Sequence, residues 1–229
     1  MSKAGDLLVE IGTEELPPKA LRSLMEAFGA NLAAGIDDAR LAHGDIVSYA
    51  SPRRLSVMVR KLALSQDERS VEQKGPPVKV AFDKDDKPTA AATAFASKCG
   101  TTVDALDRIA TDKGEWLVFN SVEAGQPAAQ LLPDIIERSL AALPIPRRMR
   151  WGAGDAEFVR PVHWVVLLHG EDIIDASVMG IAAGRESRGH RFHSSGPISI
   201  DKPANYLDTL ESAGYVIADF ERRREMVRE

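Results

Sequence analysis

The sequence predicts an α+β fold in which several amphipathic helices pack on a mixed, largely antiparallel sheet. Two long segments carry apolar residues at helical spacing, and short apolar runs typical of strands lie between them. These strands and helices alternate without the regular rhythm of parallel βαβ units. With 229 residues, 44% of them hydrophobic, the chain is long enough to bury a sizeable core.

The first third predicts a strand, a helix and a second strand. Residues 6–11 are a short apolar run typical of a buried strand. Pro17 and Pro18 stand where a helix can begin, because a first-turn residue needs no amide donor. Apolar residues then recur at helical spacing from Leu21 to Ala39. Residues 55–59 alternate between apolar and other side chains, which predicts a half-buried strand.

The middle of the chain has a less regular pattern of apolar residues than the first third. Residues 66–88 are polar, with consecutive Gly and Pro and several acidic residues, and they predict a loop or a flexible connection. An alanine-rich helix over 89–98 and a strand over 115–122 follow. A helical stripe over 131–143 is stopped by Pro144. Sub-domain boundaries are expected near 65–88 and 144–155.

The last third predicts a buried strand at 163–168, a second strand at 173–181 and an extended segment at 198–200. Asp201 is expected to cap a helix that carries Tyr206 and Leu210. Residues 219–229 are typical of a charged helix that is cut in mid-course. We therefore expect the chain to be one piece of a longer protein.

Composition limits the class of protein. The single cysteine, Cys99, excludes an internal disulfide and fits a reducing compartment. Neither a signal peptide nor an apolar run of membrane-spanning length is present, so we expect a cytoplasmic protein without a membrane partner. The net charge of −5 argues against a general nucleic-acid binder and against DNA as a partner. A local basic patch can still bind RNA, because the Debye length is only about 8 Å at physiological salt.

Familiar catalytic motifs are missing from the sequence. There is no P-loop, no glycine-rich dinucleotide turn and no GxSxG nucleophile elbow, so no catalytic residue is assigned. His190 and His193 are interleaved with arginines, which disfavours a metal site, and none is expected. Glu14 and Glu15 precede a helix, and we interpret them as favouring the positive end of its dipole.

The basic residues gather in two places. The first basic cluster lies beside Trp151 and Trp164, and the second surrounds Phe192 in a segment that also contains Gly184 and Gly189. Arginine matches phosphate geometry, aromatic rings stack on unpaired bases, and glycine lets a ligand approach the backbone. RNA or phosphate binding and a plain solvated face both remain open. Arg53 and Arg54 are a weaker pair that is interpreted as partners of acidic residues. The members of the first cluster are Arg147, Arg148, Arg150 and Arg160, and those of the second are Arg185, Arg188, His190, Arg191 and His193.

Seven segments together resemble the β subunit of the heterotetrameric glycyl-tRNA synthetase, and they occur in that family's order across the whole chain. They are IGTEELPPKAL at 11–21, ASPRRLSV at 50–57, KGPP at 74–77, PTAAATAFA at 88–96, IPRRMRWG at 145–152, FVRPVHWVVLLHG at 158–170 and GRESRGHRFH at 184–193.

The resemblance implies a role in joining glycine to its tRNA with ATP, through glycyl-adenylate. It places the class II catalytic domain, and with it ATP and magnesium, on the α subunit, so no cofactor is expected on this chain. The expected partners are the α subunit and glycine tRNA. The chain would be the N-terminal region of the β subunit, without its C-terminal anticodon-binding part. This region is similar in kind to an editing module of the phenylalanine enzyme, but no residue here carries over an editing activity.

Two hypotheses follow for the arginine clusters. In the first, they contact the tRNA backbone or the α subunit. In the second they are internal, paired with carboxylates such as Glu10, Glu14 or Glu186, and they hold the domain together. A stand-alone hydrolase is a weaker third alternative, because it would need a nucleophile or an activated water.

Overall fold

The computed structural model describes residues 4–112 and 114–229. The chain forms two compact units: the first comprises the segment ending at Gln66 together with Gln126–Glu229, and the second is Asp67–Gly125. The strands of the described residues are β1 (Ala4–Thr13), β2 (Ile46–Ser51), β3 (Arg54–Ala63), β4 (Arg69–Pro77), β5 (Asp107–Thr111), β6 (Gly114–Glu123), β7 (Met149–Arg150), β8 (Glu157–Phe158), β9 (Val162–His169), β10 (Asp172–Ile173), β11 (Ser177–Val178), β12 (Ile181–Gly184), β13 (Glu186–Arg188) and β14 (Pro197–Ser199). The helices are α1 (Leu21–Asp38), α2 (Val78–Ala81), α3 (Ala90–Lys98), α4 (Ala128–Ala141), α5 (Tyr206–Ser212) and α6 (Phe220–Arg228), and short 3-10 turns lie at Val103–Ala105 and Pro203–Asn205.

A seven-stranded sheet forms the centre of the first unit. Its order is β11-β12-β9-β1-β3-β2, with β10 paired to the end of β9. All of its pairings are antiparallel except the one between β12 and β9. The predicted α+β class with a mixed, largely antiparallel sheet is therefore confirmed.

The sheet is covered on both faces. Along β1, alternate residues such as Val9 enter a core that contains Phe28 of α1 and Ile136 of α4. On the other face, Leu8 packs in a second core with Tyr206 and Leu210 of α5. This double cover overturns the prediction of a half-buried strand over 55–59, because those β3 residues are all buried.

Helix α1 supplies one side of the larger core. It begins at Leu21, as the apolar spacing predicts, three residues after Pro18. Phe28, Leu32 and Ile36 are fully buried on one stripe of the helix. Burying each such side chain stabilises the fold by about 1.5–3 kcal/mol, so tertiary packing holds this helix in place.

Several local predictions are corrected by the structure. Residues 66–88 are not a loop, because they include strand β4, which pairs with β6, and the short helix α2. The predicted strand over 173–181 divides into the short strands β10, β11 and β12, and the turn between β11 and β12 gives Met179 and Gly180 positive φ angles of 52° and 79°. Asp201 does not cap α5, which begins at Tyr206 after a 3-10 turn. The charged helix near the end is confirmed as α6, and Asp219 caps it by accepting from the Arg222 amide at 3.1 Å.

The second unit has its own small fold. Its three-stranded antiparallel sheet has the order β4-β6-β5. Ala81, Ala92 and Leu117 form its core. The ammonium of Lys74 lies 4.3 Å from the ring centre of Trp116, a cation–π contact on that sheet. None of the helices in the described ranges has the length and apolar character needed to cross a membrane.

Candidate functional site

A buried carboxylate organises one end of the first unit. Glu10, on the central strand β1, has no exposed surface. Its carboxylate accepts hydrogen bonds from Trp164 Nε1 and from the Ser187 hydroxyl, both at 2.5 Å. The Tyr206 hydroxyl donates to it at 2.5 Å, and burial together with the Glu10 charge raises the pKa of Tyr206 well above its ordinary value. The phenol therefore remains a hydrogen-bond donor.

Arg54 completes this buried network and extends it toward the surface. Its side chain is almost fully buried, and its Nη1 lies 3.3 Å from Glu10 Oε2. Its Nη2 donates to the backbone carbonyl of Arg188. The network thus fixes the backbone of β13 where the second basic cluster begins. This buried pair also confirms the interpretation of Arg54 as a partner of an acidic residue.

Four members of the second basic cluster come together at the end of β13. Arg188 is exposed, and the rings of His190 and His193 stack with centres 4.5 Å apart. Arg191 Nη2 lies 2.9 Å from Glu14 Oε2. The fifth member, Arg185, is engaged by its own chain, because it donates to the carbonyls of Glu171 and Asp201.

Glu14 has a different role from the one expected. Glu14 and Glu15 lie six or more residues before Leu21, where α1 begins, and the first turn of α1 itself contains no acidic residue. Glu14 instead bridges Arg191 and His163, whose Nε2 lies 3.0 Å from it. Burial acts to raise the pKa of Glu14, but the charges of Arg191, Arg53 and His163 outweigh it and lower the pKa.

Two clefts open beside this cluster and share Arg53, His190 and Arg191. The aromatic cleft has a volume of about 300 Å³ and is lined by Arg53, Arg191, Phe192, Tyr215 and Arg223, among others. The histidine cleft, of about 440 Å³, includes Arg53, His163, Arg188 and His190 in its wall. Burial and the nearby charge of Arg191 lower the pKa of Arg53, against the effect of Glu14. Burial is the largest of these causes, so the Arg53 guanidinium is partly removed from water.

The first basic cluster lies outside both clefts. Arg148 donates to the carbonyl of Ala141 at 2.6 Å, and Arg160 donates to that of Glu15 at 3.0 Å. Arg150 pairs with Asp155 at 3.6 Å, and Arg147 is exposed. Three of the four members of this cluster are therefore engaged by groups of their own chain.

Gly189 serves internal packing. A Cβ at this position would lie 2.5 Å from the Ser194 side chain and 2.7 Å from the Gly214 carbonyl. The backbone of Gly189 also lines both clefts, and the approach of a ligand to it stays a prediction.

Sequence reasoning missed several residues of the clefts. The sequence indicated Arg53 only weakly. It gave no indication of Tyr215 and Arg223, because these two residues line the aromatic cleft from another part of the chain. Across residues 4–112 and 114–229, no three His, Cys, Asp or Glu side chains gather in a way that would hold a metal ion.

Comparison with known proteins places the chain among the aminoacyl-tRNA synthetases. A family model described as the glycyl-tRNA synthetase beta subunit matches residues 7–229. The chain therefore belongs to that family, and the resemblance found in its sequence is confirmed.

Individual relatives agree with the family match. The chain is 53% identical over 223 residues to the glycine–tRNA ligase beta subunit of Marinobacter nauticus, and 54% identical over 224 residues to that of Hahella chejuensis. It is 51% identical over 217 residues to that of Escherichia coli. These alignments cover 97%, 98% and 95% of this chain but 32% of each relative. The chain thus spans about a third of the length of the curated relatives it matches.

Proposed function

We propose that this chain is the N-terminal region of a glycine–tRNA ligase β subunit and that its second basic cluster contacts the tRNA backbone. In this proposal the complete ligase attaches glycine to tRNA with ATP in the cytoplasm. ATP and magnesium belong to the catalytic α subunit, and this region adds RNA contacts. The family membership supports the reaction, and the geometry around Arg188 supports the contact.

The RNA contact is supported by one feature of Arg188: its backbone is held in place, while its guanidinium is exposed. Arg54 holds the Arg188 carbonyl, whereas the Arg188 side chain forms no hydrogen bond or ion pair with the other described residues. Arg53, His190 and Arg191 lie around the same cleft. Because the backbone is already fixed, only the side chain of Arg188 has to be ordered when a phosphate binds.

The double substitution Arg188→Ala/Arg191→Ala tests the proposal in the complete β subunit assembled with its α partner. Each lost phosphate contact should reduce the slope of log affinity against log salt by about 1. We expect weaker tRNA binding and slower charging. The measurements are a tRNA titration at several salt concentrations and an aminoacylation assay.

A matched control is Arg22→Ala/Arg138→Ala, which changes the net charge equally on helices α1 and α4. Both of these arginines are exposed and lie outside the two clefts. A salt slope that is the same in the double variant and in the unsubstituted ligase would contradict the RNA contact.

A melting curve separates this proposal from the structural alternative. Arg191 and Glu14 are 49% and 40% exposed, so breaking their pair should change stability by less than about 1 kcal/mol. If the arginines mainly held the domain together, the double variant would lose thermal stability before it lost tRNA affinity.

Docking of the α subunit is a second candidate function for the same surface. Phe192 is 84% exposed and Tyr215 is 63% exposed, beside arginines. Aromatic and arginine side chains dominate the binding energy of many protein interfaces. Loss of α-subunit assembly in Phe192→Ala, with unchanged tRNA affinity of the surviving complex, would favour docking.

A further inference from the structure

We infer that the aromatic cleft binds one unpaired nucleotide of an RNA, with its phosphate on Arg53 and its base against Phe192 and Tyr215. This inference rests on the proposed RNA contact and names the part of the RNA that the cleft receives.

The charge of the cleft supports a phosphate. Arg54 is offset by Glu10 and Arg191 is offset by Glu14. Arg53 and Arg223 form no ion pair within 4.0 Å among the described residues, and Arg223 Nη1 donates to the carbonyls of Ile217 and Asp219. Glu15 is the one acidic residue of the described cleft wall, so positive charge is in excess there. A phosphate accepts several charge-assisted hydrogen bonds from such a set of guanidinium groups.

Arg53 also packs against the ring of Trp164, which bears on how it could bind a phosphate. Its guanidinium carbon lies 5.6 Å from the ring centre of Trp164, and the Trp164 indole is itself fixed by Glu10. Its Nε is buried without a hydrogen-bond partner among the described residues. The contact with Trp164 restricts the conformations of the Arg53 side chain, which reduces the ordering needed when an anion binds.

The aromatic side of the cleft supports a base. Large side chains as exposed as Phe192 and Tyr215 mark binding surfaces when they lie together beside a cavity. Proteins recognise unpaired RNA bases by stacking them on aromatic rings. In a duplex the base faces are covered by neighbouring pairs, so only an unpaired nucleotide offers such a face. A volume of about 300 Å³ lies at the small end of the range for small-molecule sites.

The test uses a short, fluorescently labelled single-stranded oligoadenylate and the same strand annealed to its complement. Fluorescence anisotropy with the 229-residue chain should show tighter binding of the single strand. Phe192→Ala should weaken that binding by roughly five- to hundredfold, which is the usual effect of losing one stacked base. Val227→Ala removes another exposed apolar side chain and should leave the affinity unchanged, since Val227 is 87% exposed and lies outside the cleft.

The phosphate side is tested with Arg53→Gln, which should weaken single-strand binding by roughly tenfold to hundredfold through loss of a charge-assisted hydrogen bond. Arg22→Gln is the matched control for the change in charge. If Arg53→Gln does not fold, Arg223→Gln tests the phosphate side instead, because Arg223 lines the same cleft.

The outcomes separate this inference from the proposed function. Equal affinity for single strand and duplex, unaffected by Phe192→Ala, overturns the inference even where Arg188→Ala/Arg191→Ala still reduces tRNA binding. Single-strand binding that depends on Phe192 and Arg53 supports the inference, even if the arginine double variant charges tRNA normally and so overturns the proposed contact. Loss of α-subunit assembly in Phe192→Ala, with unchanged oligoadenylate affinity, overturns the inference in favour of docking.

Discussion

Glu10 illustrates how one side chain ties the sheet to the candidate site. Its carboxylate is removed from water but receives hydrogen bonds from a tryptophan, a serine, a tyrosine and Arg54. Replacing a whole buried ion pair with apolar groups is often tolerated, whereas removing one partner leaves an uncompensated buried charge. The stability lost when Glu10 is substituted therefore arises mainly from the buried charge of Arg54, which is left without a partner.

Glu10→Gln should lower the free energy of unfolding by about 3–5 kcal/mol, because the Arg54 guanidinium then stays buried without its counter-charge. Urea unfolding monitored by circular dichroism measures this. Glu14→Gln breaks a surface pair and should change stability by less than about 1 kcal/mol. Equal losses in the two variants would show that burial of the pair contributes little.

Asp6 gives a prediction for pH. Its carboxylate accepts from Arg60 Nη1 at 2.6 Å and from the Lys61 amide at 2.9 Å. Burial acts to raise the pKa of Asp6, but these hydrogen bonds and the neighbouring charges lower it below the ordinary value of 3.8. A lowered folded-state pKa stabilises the fold above that ordinary value, and the stabilisation disappears as the pH falls through the folded-state pKa.

Asp6→Asn should therefore reduce stability by about 1–2 kcal/mol at neutral pH, through loss of hydrogen bonds to a charged group. The difference from the unsubstituted chain should shrink as the pH falls below 3.8. Urea unfolding at a series of pH values measures it. A difference that stayed constant into strong acid would contradict the assigned role of this carboxylate.

At the scale of elements, apolar periodicity predicted the helices that contribute buried side chains to the larger core. The stripe that begins at Leu21 became α1, and the stripe stopped by Pro144 became α4. Strand β4 was missed because most of its side chains are exposed and no apolar alternation marks it. It forms by pairing with β6, and this partner lies far along the chain. The burial of both faces of β3 over residues 55–59 was missed because α5, which covers its second face, comes more than a hundred residues later.

The indole of Trp164 on β9 lies so close to Gly12 on the neighbouring strand β1 that no side chain fits at position 12. A Cβ at this position would lie 1.8 Å from the Trp164 indole. Gly12→Ala should destabilise the fold by about 1–3 kcal/mol through overpacking. It should also change the fluorescence of Trp164 by displacing the indole from Glu10. Gly154→Ala is the control, since a Cβ there meets no atom within 4 Å. Equal melting of the two variants would contradict the tight approach.

At the scale of the whole molecule, the second unit is inserted into the first. The Gln66 amide donates to the Gln126 carbonyl at 3.0 Å, and Ser65 forms a β-bridge with Pro127. The two connections to Asp67–Gly125 therefore leave the first unit side by side. A short link can replace the insertion without stretching the sheet.

Replacing residues 67–125 with a short glycine-rich link should leave a cooperatively folding first unit, because its two large cores draw no residue from the deleted segment. Calorimetry and near-ultraviolet circular dichroism measure this. Loss of the cooperative transition in the deletion variant would show that the first unit depends on the second.

The candidate site was predictable only in part. The residue types of the second basic cluster pointed to phosphate, and four of its five members do converge. The contributions of Arg53, Tyr215 and Arg223 depend on contacts between distant parts of the chain, which local patterns do not encode. The first cluster looked equivalent in sequence, but Arg148 and Arg160 are engaged by backbone carbonyls. Whether either cluster binds RNA stays a prediction.

The Glu10 network also constrains the order in which the protein can take shape on the ribosome. The donors to this carboxylate lie 44, 154, 177 and 196 residues further along the chain. Strand β1 is synthesised first, but its carboxylate must remain hydrated until the segment carrying Tyr206 has emerged. The inserted unit ends at Gly125 and finds its strand partners within itself, so it is complete much sooner. The second unit therefore finishes folding before the first. A nascent chain that stalled between these two stages would carry a folded second unit while the sheet of the first unit was still incomplete.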